Sequence, residues 1–233
     1  MKIGKMLSRA FNPAGARRED MAGAAKAVGL QHSPGGRFDL LKLPFSLLKM
    51  GDDRWCENVL WGDWQGMPVK EFDYRYVVRT RDEKGNVRKT YYKFSCAVTD
   101  IALAGAHLSV TREGILTRVA DHMGMQDISF ESEDFNRAFN VKGDRKFATD
   151  VIDGRMMHWL LETPKEFSIQ ISGTHMLCHS KQRKPDDLAP LLDMLKGFVD
   201  HIPRVAYELH GGGAHADAEY GTQTSPSGER TTP

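Results

Sequence analysis

The sequence lacks most features that would commit it to a known chemistry. Neither G-x-G-x-x-G nor G-x-x-x-x-G-K-[ST] occurs, so no glycine-rich loop is laid out to cradle phosphate. G-x-S-x-G is missing as well, which excludes the nucleophile elbow of an α/β-hydrolase. Cysteine is scarce: Cys56, Cys96 and Cys178 are odd in number, far apart and without C-x-x-C spacing. That pattern excludes a zinc ribbon and a disulfide framework, and it predicts reduced, buried thiols in a cytoplasmic protein. No cofactor and no metal is assigned.

Charge of one sign is not in excess. Lysine plus arginine (32) nearly equals aspartate plus glutamate (31), unlike a dedicated nucleic-acid binder. No apolar run reaches the roughly 18 residues a membrane-crossing helix needs. The start of the chain also lacks the apolar stretch of a secretory signal. The expected location is the cytoplasm, with room for peripheral attachment to the inner face of the membrane.

What is present divides the 233 residues into three parts: an N-terminal helical, basic arm and linker over 1–36, a globular α+β domain over 37–205, and a disordered tail over 206–233. In the first eleven residues Ile3, Met6, Leu7, Ala10 and Phe11 share a helical face, and Lys2, Lys5 and Arg9 share another. Asn12-Pro13 reads as the end of that segment. Residues 20–30 read as a short helix closed by Gly29, and Leu40–Phe45 as an apolar stretch without a period.

Strands are clearest in the middle. Phe72, Tyr74, Tyr76 and Val78 alternate with Asp73, Arg75, Val77 and Arg79. Tyr92, Phe94, Cys96 and Val98 alternate with Lys93, Ser95 and Ala97, and 82–86 between the two runs has turn chemistry. Residues 58–61, 101–103 and 108–111 read as further strands. Leu116, Val119, Ala120 and Met123 recur at helical spacing. Ser132 is positioned to cap a helix with Phe135 and Phe139 on its buried edge, and more helices are expected over 144–152 and 155–161. Phe167–Ile171 and Met176–Ser180 around Ser172-Gly173 read as a second hairpin. Leu188, Leu191, Leu192, Leu195 and Val199 mark a closing amphipathic helix, capped by Asp186 or Asp187, with Pro203 beyond its end. The tail is rich in Gly, Ala, Ser, Thr and Pro, which cannot bury enough apolar surface to offset ordering entropy.

The order Glu131-x-x-x-Phe135-x-x-x-Phe139-x-Val141, then Asp144 and Ala148, Arg155–Met157 and Trp159–Leu161, resembles a widespread bacterial family of unknown function. Trp61-Gly62-x-x-x-Gly66-x-x-Val69 is similar to that family's entry into its sheet. The resemblance spans roughly residues 55–203 and implies a short β-hairpin with a closing helix. It carries no activity and no site residues. Some members have membrane anchors ahead of the domain.

Chemistry-bearing groups each have an ordinary structural reading. His175, Cys178 and His179 lie close in sequence, but on a strand 175 and 179 sit about 13 Å apart while 178 faces the other way. Glu131, Glu133 and Asp134 sit where a helix start collects acids anyway. Trp55, Trp61 and Trp64 could form an aromatic platform, and core anchoring is the commoner fate. His210-Gly211-Gly212-Gly213 resembles an esterase oxyanion segment but opens the tail. From Arg75 to Lys93 the cations outnumber Asp82 and Glu83. Arg75, Arg79 and Lys93, with Lys2, Lys5 and Arg9, make the candidate binding set, for an anionic membrane surface or a protein partner.

The expected fold is α+β, a mostly antiparallel sheet with helices packed on one face and a C-terminal amphipathic helix. The leading functional expectation is a non-catalytic binding or scaffold domain. Peripheral membrane association and a hydrolase-type enzyme with an unrecognised site are the alternatives.

Overall fold

Residues that alternate along 72–98 form strands, as their period requires. The computed structural model describes residues 12–112 and 126–211. β3 (Met67–Arg81) and β4 (Val87–Arg112) pair antiparallel from Lys70↔Val98 to Arg81↔Val87. Asp82 closes their turn, its carboxylate accepting from the backbone N–H of Lys84 at 3.0 Å and of Asn86 at 2.8 Å. Phe72, Tyr74, Tyr76, Phe94 and Cys96 fall on one face and are buried.

Preceding them, β2 (Asp52–Trp64) is longer than the expected 58–61. It reaches β3 through Gln65-Gly66, both with positive φ (53° and 82°), the conformation of a two-residue hairpin turn. β1 (Gln31–Ser33) pairs with β2 at the sheet margin.

Two expected strands, 101–103 and 108–111, are parts of the single strand β4. The expected second hairpin is also one strand, β6 (Ser168–Lys181), pairing with β4 from Phe94↔Lys181 to Thr111↔Ser168. The reason lies in two glycines. Gly173 (φ +61°) is the register partner of Gly105, and the ladder shifts register on both sides of Gly105. Both strands bend there instead of reversing. β5 (Phe139–Gly143) pairs with β4 over Leu108–Arg112, on the edge opposite β6.

The bend folds the β4–β6 ribbon back on itself. Arg183, just past β6, reaches Glu166, just before it, at 3.3 Å, and its guanidinium lies 5.2 Å from the Phe167 ring centre. Phe147 packs against the corner, so a Cβ added to Gly105 would sit 2.2 Å from its ring. Gly105→Ala is therefore expected to cost about 1–3 kcal/mol by overpacking. A fall in the urea midpoint with an unchanged m-value checks this.

Helices cover one face of the sheet. α1 (Pro13–Ala27) begins earlier than expected: Asn12 accepts from the Gly15 N–H at 2.9 Å, so Asn12-Pro13 starts a helix. Its Met21 and Ala25 enter the core, and Gly29 (φ +75°) lies just beyond its end. α2 (Glu133–Ala138), α3 (Arg145–Val151) and α4 (Gly154–Glu162) are capped by Ser132, Asp144 and Asp153, each accepting from a backbone N–H three residues on. Phe139 falls in β5 rather than on α2. α5 (Ala189–His201) buries Leu191, Leu192, Leu195 and Phe198. Asp186 and Asp187 do not cap it, because a 3-10 turn (Pro185–Asp187) places Leu188 at the cap position. Pro203 starts α6 (Arg204–His210).

The opposite face is covered by the aperiodic stretch. Its period fails because it forms two 3-10 turns, Leu40–Lys42 and Leu47–Lys49. Leu40, Phe45, Leu47 and Leu48 pack there on Phe72, Tyr74, Tyr76 and Leu177. The helix expected over 115–123 lies outside the described residues.

Candidate functional site

Because the β4–β6 ribbon bends, the two ends of each strand face one another across a cavity of about 1020 Å³. The start of β4 supplies Tyr91, Tyr92 and Phe94, and the end of β6 supplies His179 and Lys181. The other wall is polar: Thr111 and Arg112 from β4, Asn140 from β5, Glu166 and Ser168 at the start of β6. The inner part of the same face is filled by the 3-10 segment, where Ser46 donates through N–H (3.1 Å) and Oγ–H (3.0 Å) to the Gln170 side-chain oxygen.

The aromatic wall is ordered by stacking. Tyr76 lies 5.0 Å from Tyr92 and 5.8 Å from Phe94, and Phe94 meets the His179 ring edge-on at 5.9 Å. Burial alone pulls the His179 pKa down to about 4, so its imidazole is neutral at pH 7.

Cations line the cavity in two states. Arg183 is engaged by Asp187 (2.6 Å) and Glu166 (3.3 Å). Arg112 is buried and donates to the carbonyls of Leu160 (2.8 Å) and Thr163 (2.7 Å) at the end of α4, where the helix dipole favours positive charge. Its guanidinium also lies 4.2 Å from the Phe139 ring centre, and its Nε has no hydrogen-bond partner among the described residues. Lys93, Lys181 and Lys184 are exposed at the rim and make no ion pair among the described residues.

The sequence-level binding set is divided by the fold. Arg75 and Lys93 are register partners on β3 and β4, and both are exposed. Arg79 is ion-paired with Asp53 and, at 3.4 Å, with Asp52. Lys2, Lys5 and Arg9 lie outside the described residues. Lys93 alone of the described three lines the cavity.

The proposed catalytic groups do not converge. His175 bonds Asp100 at 2.5 Å near the surface, Cys178 is buried in the helix-side core, and His179 faces the cavity. Burial pushes the Cys178 thiol up, which keeps it protonated and unreactive. His158 pairs with Glu162 on α4. Glu133 and Asp134 occupy the first turn of α2. The tryptophans serve packing on different faces: Trp61 against the 3-10 segment, Trp64 against the helix-side core with its N–H donated to Asp193, and Trp55 against Phe38. His210 bonds Asp150 at 2.7 Å and packs on Phe147, tying α6 to α3. Among the described residues no three His, Cys, Asp or Glu side chains gather as a metal site.

A second polar cluster, missed in the sequence, lies under α1. Arg17 donates to both Asp73 oxygens at 2.6 Å, and Asn58 donates to Asp73 at 2.8 Å. Glu71, two residues along β3 from Asp73, is 1% exposed, and neither of its oxygens has a hydrogen-bond partner among the described residues. Burial, then the charge of Asp73, pushes its carboxyl well above the usual range, against smaller opposing effects of Arg17 and Arg183. The alternation over 72–79 hid this cluster, since Asp73 reads there as solvent-facing.

No family model matches the chain, and no curated protein matches it. Among solved structures it is similar to the crystal structure of the mycobacterial trehalose monomycolate transport factor A, TtfA. The TM-score is 0.59 and the identity 15%, over 82% of this chain and 96% of that one, a likeness of fold.

Proposed function

We propose that this protein is a non-catalytic binding module that takes its ligand into the cavity between the folded-back ends of β4 and β6. The observation that carries the reading is the cavity itself: about 1020 Å³, walled by stacked aromatics on one side and polar groups on the other. Ligand sites are typically concave, mostly apolar and supplied with a few convergent polar groups. The separation of His175, Cys178 and His179 supports binding over turnover. The neighbour in fold is a transport factor by name, which supports a ligand that is carried rather than converted. No helix among the described residues is long and apolar enough to cross a membrane. Arg75 and Lys93, side by side near the rim, are the described residues that would serve delivery to an anionic surface.

Nile red, a neutral apolar dye, tests the cavity. Saturable fluorescence enhancement is expected with the wild-type protein. Thr111→Trp, which places a large ring in the cavity, is expected to weaken it while circular dichroism and the thermal midpoint hold. Enhancement that persists unchanged in a folded Thr111→Trp protein places the dye elsewhere and overturns the proposal.

A further inference from the structure

We infer that the cavity's ligand is an amphipathic anion, with its apolar part against Tyr92 and Phe94 and its acidic head held at the rim by Lys93, Lys181 and Lys184. This rests on the cavity being a binding site.

The lining is graded from inside to outside. Phe94 and His179 are buried, 8% and 7% exposed, whereas the three lysines are exposed. An apolar interior under a cationic mouth fits a ligand with the same two ends. The charges at the mouth are also unequal in their engagement. Arg183 holds both Glu166 and Asp187, one positive charge against two negative, yet the five lining cations still outnumber the three lining acids. The lysines have no such partner among the described residues, and Asp186 is the remaining acid. Deeper in, Arg112 adds fixed positive charge, with no ion pair to a carboxylate among the described residues and its Nη2 donating to carbonyls. His179, neutral at pH 7, adds nothing to that field and leaves the aromatic wall apolar. A cavity of about 1020 Å³ is far larger than a bare inorganic anion requires. Carboxylate or phosphate heads both suit lysine, which acts as a compact point charge.

The test is competition against bound Nile red by dodecanoate, dodecan-1-ol and inorganic phosphate. Dodecanoate is expected to displace the dye at least about tenfold more tightly than dodecanol, with inorganic phosphate ineffective. Lys181→Gln with Lys184→Gln changes only exposed side chains, so the fold is retained. That double variant is expected to lose about tenfold for dodecanoate and nothing for dodecanol. Raising salt is expected to weaken dodecanoate alone. Equal displacement by acid and alcohol, unchanged in the double variant, overturns the anionic head and leaves the cavity reading intact. Displacement by inorganic phosphate as effective as dodecanoate overturns the apolar part. Failure of Nile red itself to bind overturns both proposals.

Discussion

Asp73→Ala is expected to lower the unfolding free energy by about 3–5 kcal/mol, the usual cost of breaking a buried ion pair from one side. Asp73 sits in the middle of β3 with its side chain 5% exposed, and Arg17 on α1 is 20% exposed. Both guanidinium contacts measure 2.6 Å, a bidentate geometry. Without the carboxylate, Arg17 loses its bidentate partner while staying largely desolvated. Asn58, held at a positive φ of 54°, loses its acceptor in the same step. Urea unfolding gives the magnitude, and a double-mutant cycle with Arg17→Ala gives the coupling. The double variant is expected to lose less than the sum of the singles, since removing both partners leaves no stranded charge. A loss under about 1 kcal/mol for Asp73→Ala, or additive singles, contradicts this account.

The second large effect is in pH dependence, and Glu71 sets it. In the unfolded chain this carboxyl titrates near the ordinary 4.5, and in the folded protein it titrates well above that. Between the two values the folded state keeps a proton that the unfolded state has released. Stability is therefore full below about pH 4.5 and falls as pH rises toward the folded value, by up to about 1.4 kcal/mol per pH unit. Glu71→Gln keeps the shape and removes the ionisation. The variant is expected to match wild type near pH 4.5 and to gain on it steadily with rising pH. Each 1 kcal/mol corresponds to about 2–4 °C in thermal midpoint for a chain of this size. His179 works in the opposite sense on the acid side: with its pKa lowered to about 4, it contributes stability that fades as pH falls below about 6.5. Because His179 is common to wild type and variant, its effect cancels in their difference, and the Glu71→Gln series is read from pH 4.5 upward. Parallel wild-type and variant curves there refute the assignment.

Local rules carried much of the fold. Period-two alternation identified the β3–β4 hairpin, and the helical spacing from Leu188 to Val199 identified α5, because each pattern faces one core directly. The caps Ser132, Asp144 and Asp153 fall at helix starts that their short polar side chains encode. The continuity of β4 was not legible, since Gly105 breaks the alternation in the same way a turn would. For β6 the same ambiguity at Gly173 suggested a hairpin. Whether a glycine bends or reverses a strand depends on a partner strand more than sixty residues away, which local pattern does not contain.

The candidate site was less legible for a related reason. Lys93 was found because it stands among other cations. Arg112, Lys181 and Lys184 were not, because only the bend brings their segments together. Asp73 looked like the wet side of a strand, yet the arrival of α1 on that face makes it an interior group.

β4 also sets a timetable for the chain as it emerges from the ribosome. Its partner β3 is made first, so that hairpin can close at once. The edge from Phe94 to Thr111 must wait for Ser168–Lys181. At roughly 5–20 residues per second, that wait lasts several seconds. Throughout it, a long run of main-chain donors and acceptors stands open to any other nascent strand. The cations clustered at the hairpin tip, through mutual repulsion between copies, are placed to discourage such mispairing until β6 arrives.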